Sequence, residues 1–512
     1  MLLKLPLDLF EKIIRLVIYP IRKCIKTLLI LLRTCRATYA LVIPHLYHTL
    51  PLHVDLSMDA VLHPLLPDYK RRGHGPFLSS YTVPHTCVKN LLILPQREHL
   101  RDRNPPFPNR TLLNVFTTLT AIHTLVYTPK NCGTRRVHLP EAIAALHLRS
   151  LTCRYDSPLL SSDLSSKRNW ALEKLTLYKV GVDPTILKSI LEASACTLRE
   201  LYLTYTDATV SHSGLPELPE LRALRLLRYG KAAIEGLQGT VAFEQLHTLQ
   251  LVSRDGGGAG IAKGLESGGL GGLRKLSLGM GVREMVQILE LCGASLREAH
   301  FVHMGESGTP TEWSAVIEVL ARRCRGLSAV SLDAEANIKQ PPQFGFPTGV
   351  GGWAREDITK LAVGCPDIRD LRFAMDLNRW SFENYFSRPH TTPPPALFSK
   401  LENLHITLAH RYNFNSDIYL PMEPAFLDVG PQLPAQLWAV IDELGGREKM
   451  EEHWSIATWG TLVESRKDGI GNPLLSELRE KFVFPVVGKG KWTEAFEPAW
   501  LGEERFKTGV LM

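Results

Sequence analysis

One six-residue pattern, apolar-x-x-apolar-x-apolar, returns down most of this 512-residue chain and limits its fold more than any other feature. It reads LRSLTC from Leu148, LEKLTL from Leu172, LRELYL from Leu198, LRALRL from Leu221, LHTLQL from Leu246 and LRKLSL from Leu273. Weaker copies are LREAHF from Leu296, LSAVSL from Leu327, IRDLRF from Ile368 and LENLHI from Leu401, with early ones VKNLLI from Val88 and IHTLVY from Ile122. From Leu148 to Leu296 successive copies start 24, 26, 23, 25, 27 and 23 residues apart, a regularity that marks a structural unit. The fourth and sixth places are two residues apart, so they point to one face of a short strand, while the first anchors the turn leading into it. Helical patterns lie between copies. DPTILKSILEASA offers Asp183 as an N-cap before Pro184, and VREMVQILELCG ends at Gly293. A strand and a helix in about 25 residues cannot bury their own apolar edge, but stacked copies can. The expected fold is α/β, a curved parallel sheet with helices outside it.

These residues resemble the leucine-rich repeat in its ribonuclease-inhibitor-like form. The resemblance runs from Val88 to about Thr407, densest from 148 to 301, and implies a solenoid over residues 88–410. Wider gaps after Leu327 and Ile368 hold insertions, PPQFGFPTGVGG and RPHTTPPP, both loop chemistry. The segment Arg254–Gly272 has nine Gly in nineteen residues. No register of it gives GxGxxG or GxxxxGK[ST], so a surface loop is expected there rather than a phosphate cradle. Beyond Thr407 the period is lost, and residues 411–512 are expected to cap the solenoid or form a small extra domain.

The N-terminus carries a different signal. In LPLDLFEKIIRLV the apolar residues Leu5, Leu9, Ile13, Leu16 and Val17 recur at helical spacing, with Phe10 and Ile14 beside them. Pro6 suits the first turn, and Asp8 and Glu11 precede Lys12 and Arg15 as the helix dipole favours. A second amphipathic segment, IRKCIKTLLILL, and a third, RTCRATYALVIPHLYHTL, complete three helices within residues 1–50. So small a bundle buries little alone and leaves an apolar stripe to be covered. LPLDLFEKII is similar to the opening LPxELxxxI of the F-box, and LLRTCRATYALVIPHLY to its closing helix and the P-x-L-Y that leads into a repeat domain.

The resemblance implies an F-box and leucine-rich-repeat protein, the substrate receptor of a Skp-cullin-F-box ubiquitin ligase. Residues 1–50 would dock a Skp-type adaptor, and through it a cullin, and 51–87 would be a linker or N-terminal cap of the solenoid. Carried over by position, Leu5, Pro6, Leu9, Phe10 and Ile13 would face the adaptor, with Leu46 and Tyr47 closing the module. Eight Lys or Arg against two acids in residues 1–50 hold six of the chain's seven net positive charges. That surplus would steer an acidic adaptor. The target, an unknown protein, would meet solvent-pointing residues between the Leu anchors: Lys174, Thr176 and Tyr178; Glu200, Tyr202 and Thr204; then Arg225, Gln250, Lys275, Ser277, His300, Arg372 and His405.

No catalysis, cofactor or metal is expected. HExxH, GxSxG and CxxC are absent, and the histidines form no ligand-like cluster. Nine scattered cysteines, an odd number without a close pair, suit a reducing cytoplasmic or nuclear setting. The longest early uncharged run, Ala37 to Val54, contains three His and two Pro, so no membrane span is expected. The competing reading is a repeat scaffold that binds protein or RNA without a ligase role.

Overall fold

Each of the twelve copies of the pattern begins a β-strand at its third place. The structure, a computed structural model, describes residues 47–53, 85–94, 115–128, 146–154, 171–180, 185–205, 214–237, 239–253, 269–303, 310–334, 353–376, 396–409 and 454–458, with 143, 160, 440 and 443–445. In chain order its strands are β1 Thr49–His53, β2 Asn90–Leu94, β3 Thr124–Tyr127, β4 Ser150–Arg154, β5 Lys174–Val180, β6 Glu200–Tyr205, β7 Ala223–Tyr229, β8 Thr248–Ser253, β9 Lys275–Met280, β10 Glu298–His303, β11 Ala329–Ala334, β12 Asp370–Asp376, β13 Asn403–Ala409 and β14 Trp454–Thr458. The α-helices are α1 Thr185–Ser194, α2 Lys231–Leu237, α3 Val282–Leu291, α4 Pro310–Arg323 and α5 Arg355–Gly364.

Contacts group the chain into two units. The first takes described residues up to Leu203 with Gly214–Glu220, and the second takes Thr204, Tyr205 and those from Leu221 onward. In the first unit β1 to β5 pair parallel in chain order, with Thr49, Asn90, Thr124, Ser150 and Lys174 in register. In the second, β7 to β13 align Ala223, Thr248, Lys275, Glu298, Ala329, Asp370 and Asn403, and β14 joins β13 through Leu404 and Trp454. An α/β chain with open, all-parallel sheet is therefore present, as the repeat implied. The helices expected for residues 5–17 and 21–32 lie outside the described residues. β1 crosses the expected boundary at residue 50, and the expected cap of 411–512 supplies β14.

Register is fixed by one recurring bond pattern. The carbonyl at the second place of nine copies accepts two successive N–H groups from the next, among them His123 O from Arg149 and Ser150, Arg149 O from Glu173 and Lys174, His247 O from Arg274 and Lys275, and Arg297 O from Ser328 and Ala329. One acceptor thus satisfies the donors on either side of the turn into the strand, which would otherwise be orphaned on burial.

The apolar places do what their spacing requires. Leu172, Leu175 and Leu177 in the first unit and Leu246, Leu249 and Leu251 in the second have no exposed surface. Each such side chain contributes about 1.5–3 kcal/mol on burial. Facing them, α1 buries Leu187, Ile190 and Leu191, and α3 buries Val282, Met285, Ile288 and Leu289, stripes at three- and four-residue spacing. α4 and α5 pack so closely that a Cβ on Gly364 would lie 2.3 Å from Ala321 Cα. Cys292, Cys324 and Cys365, each just before a copy of the pattern, are buried. Cys292 Sγ donates to Ile288 O at 3.4 Å, and Cys365 Sγ lies 3.5 Å from Leu320 O and 3.4 Å from Cys324 O. A thiol fits there as a small apolar group that can still meet a helix-end carbonyl.

The second unit also holds a half-buried ion pair across a long separation. Arg355 Nε donates to Glu443 Oε1 at 2.8 Å, and the Glu443 side chain keeps 7% exposure. Two strands carry non-glycine residues with left-handed backbone, Lys179 and Arg228, both at φ 58° and both five residues after the strand begins. At Arg228 the β7–β8 register slips between Leu227 and Tyr229, as a bulge requires.

Candidate functional site

Alternation along a strand leaves the third, fifth and seventh places opposite the core-facing fourth and sixth. In a parallel sheet with matched register, these places stack into rows that cross the strands. The residues expected to meet a target fall on these rows wherever register is given.

In the first unit the third and fifth places of adjacent strands form one cluster. Lys174 Nζ lies 2.8 Å from Glu200 Oε2, Tyr202 Oη donates to the same oxygen at 2.7 Å, and Lys174 Nζ stands 4.8 Å from the Tyr202 ring centroid. The three side chains are half-buried and satisfy one another, so the charge there is already paired. Tyr178 is half-buried on β5, and Thr176 is buried.

In the second unit the fifth-place row runs Arg225, Gln250, Ser277, His300, Ser331, Arg372, His405 and Ser455 by register. Arg225, Ser277 and His300 are half-buried. Gln250, expected to point into solvent, is instead only 3% exposed, and its Nε2 has no hydrogen-bond partner. An amide left so costs about 1–3 kcal/mol unless something supplies an acceptor. Thr204, also expected at the surface, is only 4% exposed. Lys275 is exposed at the third place and paired with Glu298 at 2.7 Å. Arg372 and His405 hold fifth-place positions in the backbone register.

Sequence reasoning passed over Ser331 and Thr152, although both occupy the fifth place of LSAVSL and LRSLTC. It also passed over the second place, where Arg274, Arg297 and Arg369 are exposed. Arg297 Nη1 donates to Gly326 O at 2.8 Å and Arg369 Nη1 to Glu402 Oε1 at 3.0 Å. Leu5, Pro6, Leu9, Phe10, Ile13 and Leu46 lie outside the described residues; Tyr47 is half-buried just before β1. Among the described residues no three His, Cys, Asp or Glu side chains are grouped to hold a metal ion, and no helix is long and apolar enough to cross a membrane. A scan against protein-family models finds no match, and no curated protein matches the sequence.

Proposed function

We propose that this chain is the substrate-recognition subunit of a Skp-cullin-F-box ubiquitin ligase, acting in the cytoplasm or nucleus. Its N-terminal module docks a Skp-type adaptor, which connects it to a cullin, and the solvent-facing rows of its repeat strands bind a protein target. The observation that carries the receptor role is the fifth-place row of the second unit, a line of polar side chains from consecutive strands in which Arg225, Ser277 and His300 keep part of their surface exposed and Gln250 and Ser331 are buried between them. Opposite it the apolar places hold the strands in register, so the row is presented by a rigid scaffold. The F-box-like motif around Leu5–Ile13 and the basic surplus of residues 1–50 support the ligase part.

On this reading the chain performs no bond chemistry. It raises the concentration of a target near a ubiquitin-charged enzyme by tethering both. Burial of one Leu or Phe against the adaptor is worth about 1.5–3 kcal/mol, so losing two at once weakens that complex roughly a hundredfold or more. Affinity capture tests it directly. The intact chain recovers a Skp-type adaptor, and the chain with Leu5→Asp and Leu9→Asp does not, while both retain the target. Adaptor recovery that survives the two substitutions would sink the ligase role.

The exposed arginines at the second place favour one other reading, a repeat scaffold that binds RNA. In that case affinity for single-stranded RNA falls steeply with salt and no adaptor is recovered.

A further inference from the structure

We infer that the exposed arginines Arg274, Arg297 and Arg325 of the second unit dock an acidic protein segment, an unmodified run rich in Asp and Glu. This rests on the proposed receptor role and deepens it by naming the class of target segment. Arg274 and Arg297 fill the second place of successive copies, just before β9 and β10. Arg274 O accepts the N–H groups of Arg297 and Glu298, so the two backbones lie side by side. Arg325 stands in the turn into the next copy, which Leu327 N–H closes on Cys324 O. All three residues are exposed. Arg297 Nη1 donates to Gly326 O at 2.8 Å and lies 3.4 Å from Ala294 O. Two carbonyls thus pin one corner of the guanidinium, and its Nε–Nη2 edge has no partner among the described residues. That edge is the fork that grips a carboxylate with two parallel bonds. The turn is shaped to it, since a Cβ on Gly326 would lie 1.6 Å from Arg297 Nη1.

Three carboxylates in these repeats pair instead with other cations. Glu298 lies 2.7 Å from Lys275, Glu290 meets Arg322 and Arg323, and Asp367 is bonded to Lys400. Among the described residues no carboxylate is bonded to Arg274, Arg297 or Arg325. Asp367 shows what charge at this edge does to an acid. Its carboxyl is held below the usual range, first by the hydrogen bond and charge of Lys400 and then by Arg369 and Arg297. The arrangement also selects among anions. A single phosphate group needs donors that converge on it, whereas these cations are set along successive copies, about 4.8 Å per strand. Acids on alternate residues of an extended segment recur about every 6.6 Å, a spacing that long arginine side chains can meet one after another. RNA also spreads its charge, but single strands are held by bases stacked on accessible aromatic rings. Tyr229, Phe243, Phe301, Trp353, Phe373 and Phe398 of this unit are all buried.

The test uses the purified full chain at low salt and fluorescence anisotropy with a labelled ten-residue probe, Glu-Gly repeated five times. The chain is expected to bind this probe and not the matching Gln-Gly peptide. Arg297→Gln lowers affinity about tenfold, and Arg297→Lys, which keeps the charge but loses the fork, lowers it about threefold. Gly326→Ala, which crowds chiefly the end of the Arg297 side chain, also lowers it about threefold while the thermal midpoint holds. Affinity unmoved by Arg297→Gln overturns the proposal, as does a Gln-Gly peptide bound as tightly as the acidic one. So does tighter binding of a ten-nucleotide uridine RNA, or of the Gln-Gly peptide carrying one phosphoserine. If the intact chain recovers adaptor and target but does not bind the Glu-Gly probe, this site is wrong and the receptor role stands. If it recovers no adaptor, the ligase role falls and the anisotropy still decides this site.

Discussion

Along the fifth place of the pattern the first unit presents Pro51, Leu92, Val126, Thr152 and Thr176, and Tyr202 on β6, whereas the second presents Arg225, Gln250, Ser277, His300, Ser331 and Arg372. The first series carries no charge; the second holds two arginines and continues by register to His405 and Ser455. Yet the places that face the core are filled alike, by Leu175 and Leu177 in one unit and Leu249 and Leu251 in the other. The contrast separates two duties. The first, fourth and sixth places hold strands together, and the fifth is released to vary in chemistry. Recognition can therefore differ between units that are built the same way.

The largest expected effect tests the shared half of that contrast. Leu175→Ala in the first unit and Leu249→Ala in the second should each cost about 2–5 kcal/mol in urea denaturation, the range for a buried Leu leaving a cavity. Val126→Ala and Ser277→Ala, at the fifth place, should change stability by no more than about 0.5 kcal/mol. A fifth-place substitution as damaging as a core one would break the division of labour.

A second change probes a place where the second unit is tight. Gly364→Ala forces a methyl group against the Ala321 backbone, and should cost about 1–3 kcal/mol with faster amide exchange in α4 and α5. An unchanged exchange pattern would mean that the two helices can part at no cost.

The smallest effect belongs to pH, and also to the second unit. Burial pushes the Cys324 thiol up to about 11, with Arg323 pulling the other way, and the Cys365 thiol up to about 12, with Cys324 adding to the rise. A thiol raised in the folded state adds stability that is fully present below its unfolded value near 9 and is lost as pH climbs toward 11–12. By pH 10 the loss should be on the order of 1 kcal/mol per thiol. Cys324→Ala should make the decline shallower above pH 9, measured by chemical denaturation across pH. An equally steep decline would place the alkaline sensitivity elsewhere.

The strands were legible wherever the first place is apolar, because that residue, together with the fourth and sixth, is what the fold buries. β1 was missed because Tyr47 fills the first place by count from Leu50, and β14 because Glu451 does so by count from Trp454. The candidate site was legible as a set of rows, since period-two alternation fixes which side chains leave the core. Its internal economy was not. The spacing of Lys174, Glu200 and Tyr202 gave no sign that the three satisfy one another, nor that Gln250 would be buried with its amide unmet. Those outcomes depend on which residue lies across the ladder, and that follows only from register between segments more than twenty residues apart. The left-handed Lys179 and Arg228 were equally hidden, because neither residue type favours that conformation.

The shared carbonyl at the start of each strand has a further consequence. Since a copy that follows this pattern brings its own acceptor and consumes only that of its predecessor, a duplicated block of 23 to 27 residues arrives with its bonding already matched at both ends. Such a chain can lengthen or shorten by whole modules during evolution without inventing a new junction, and each added module brings one more variable side chain to the reading surface.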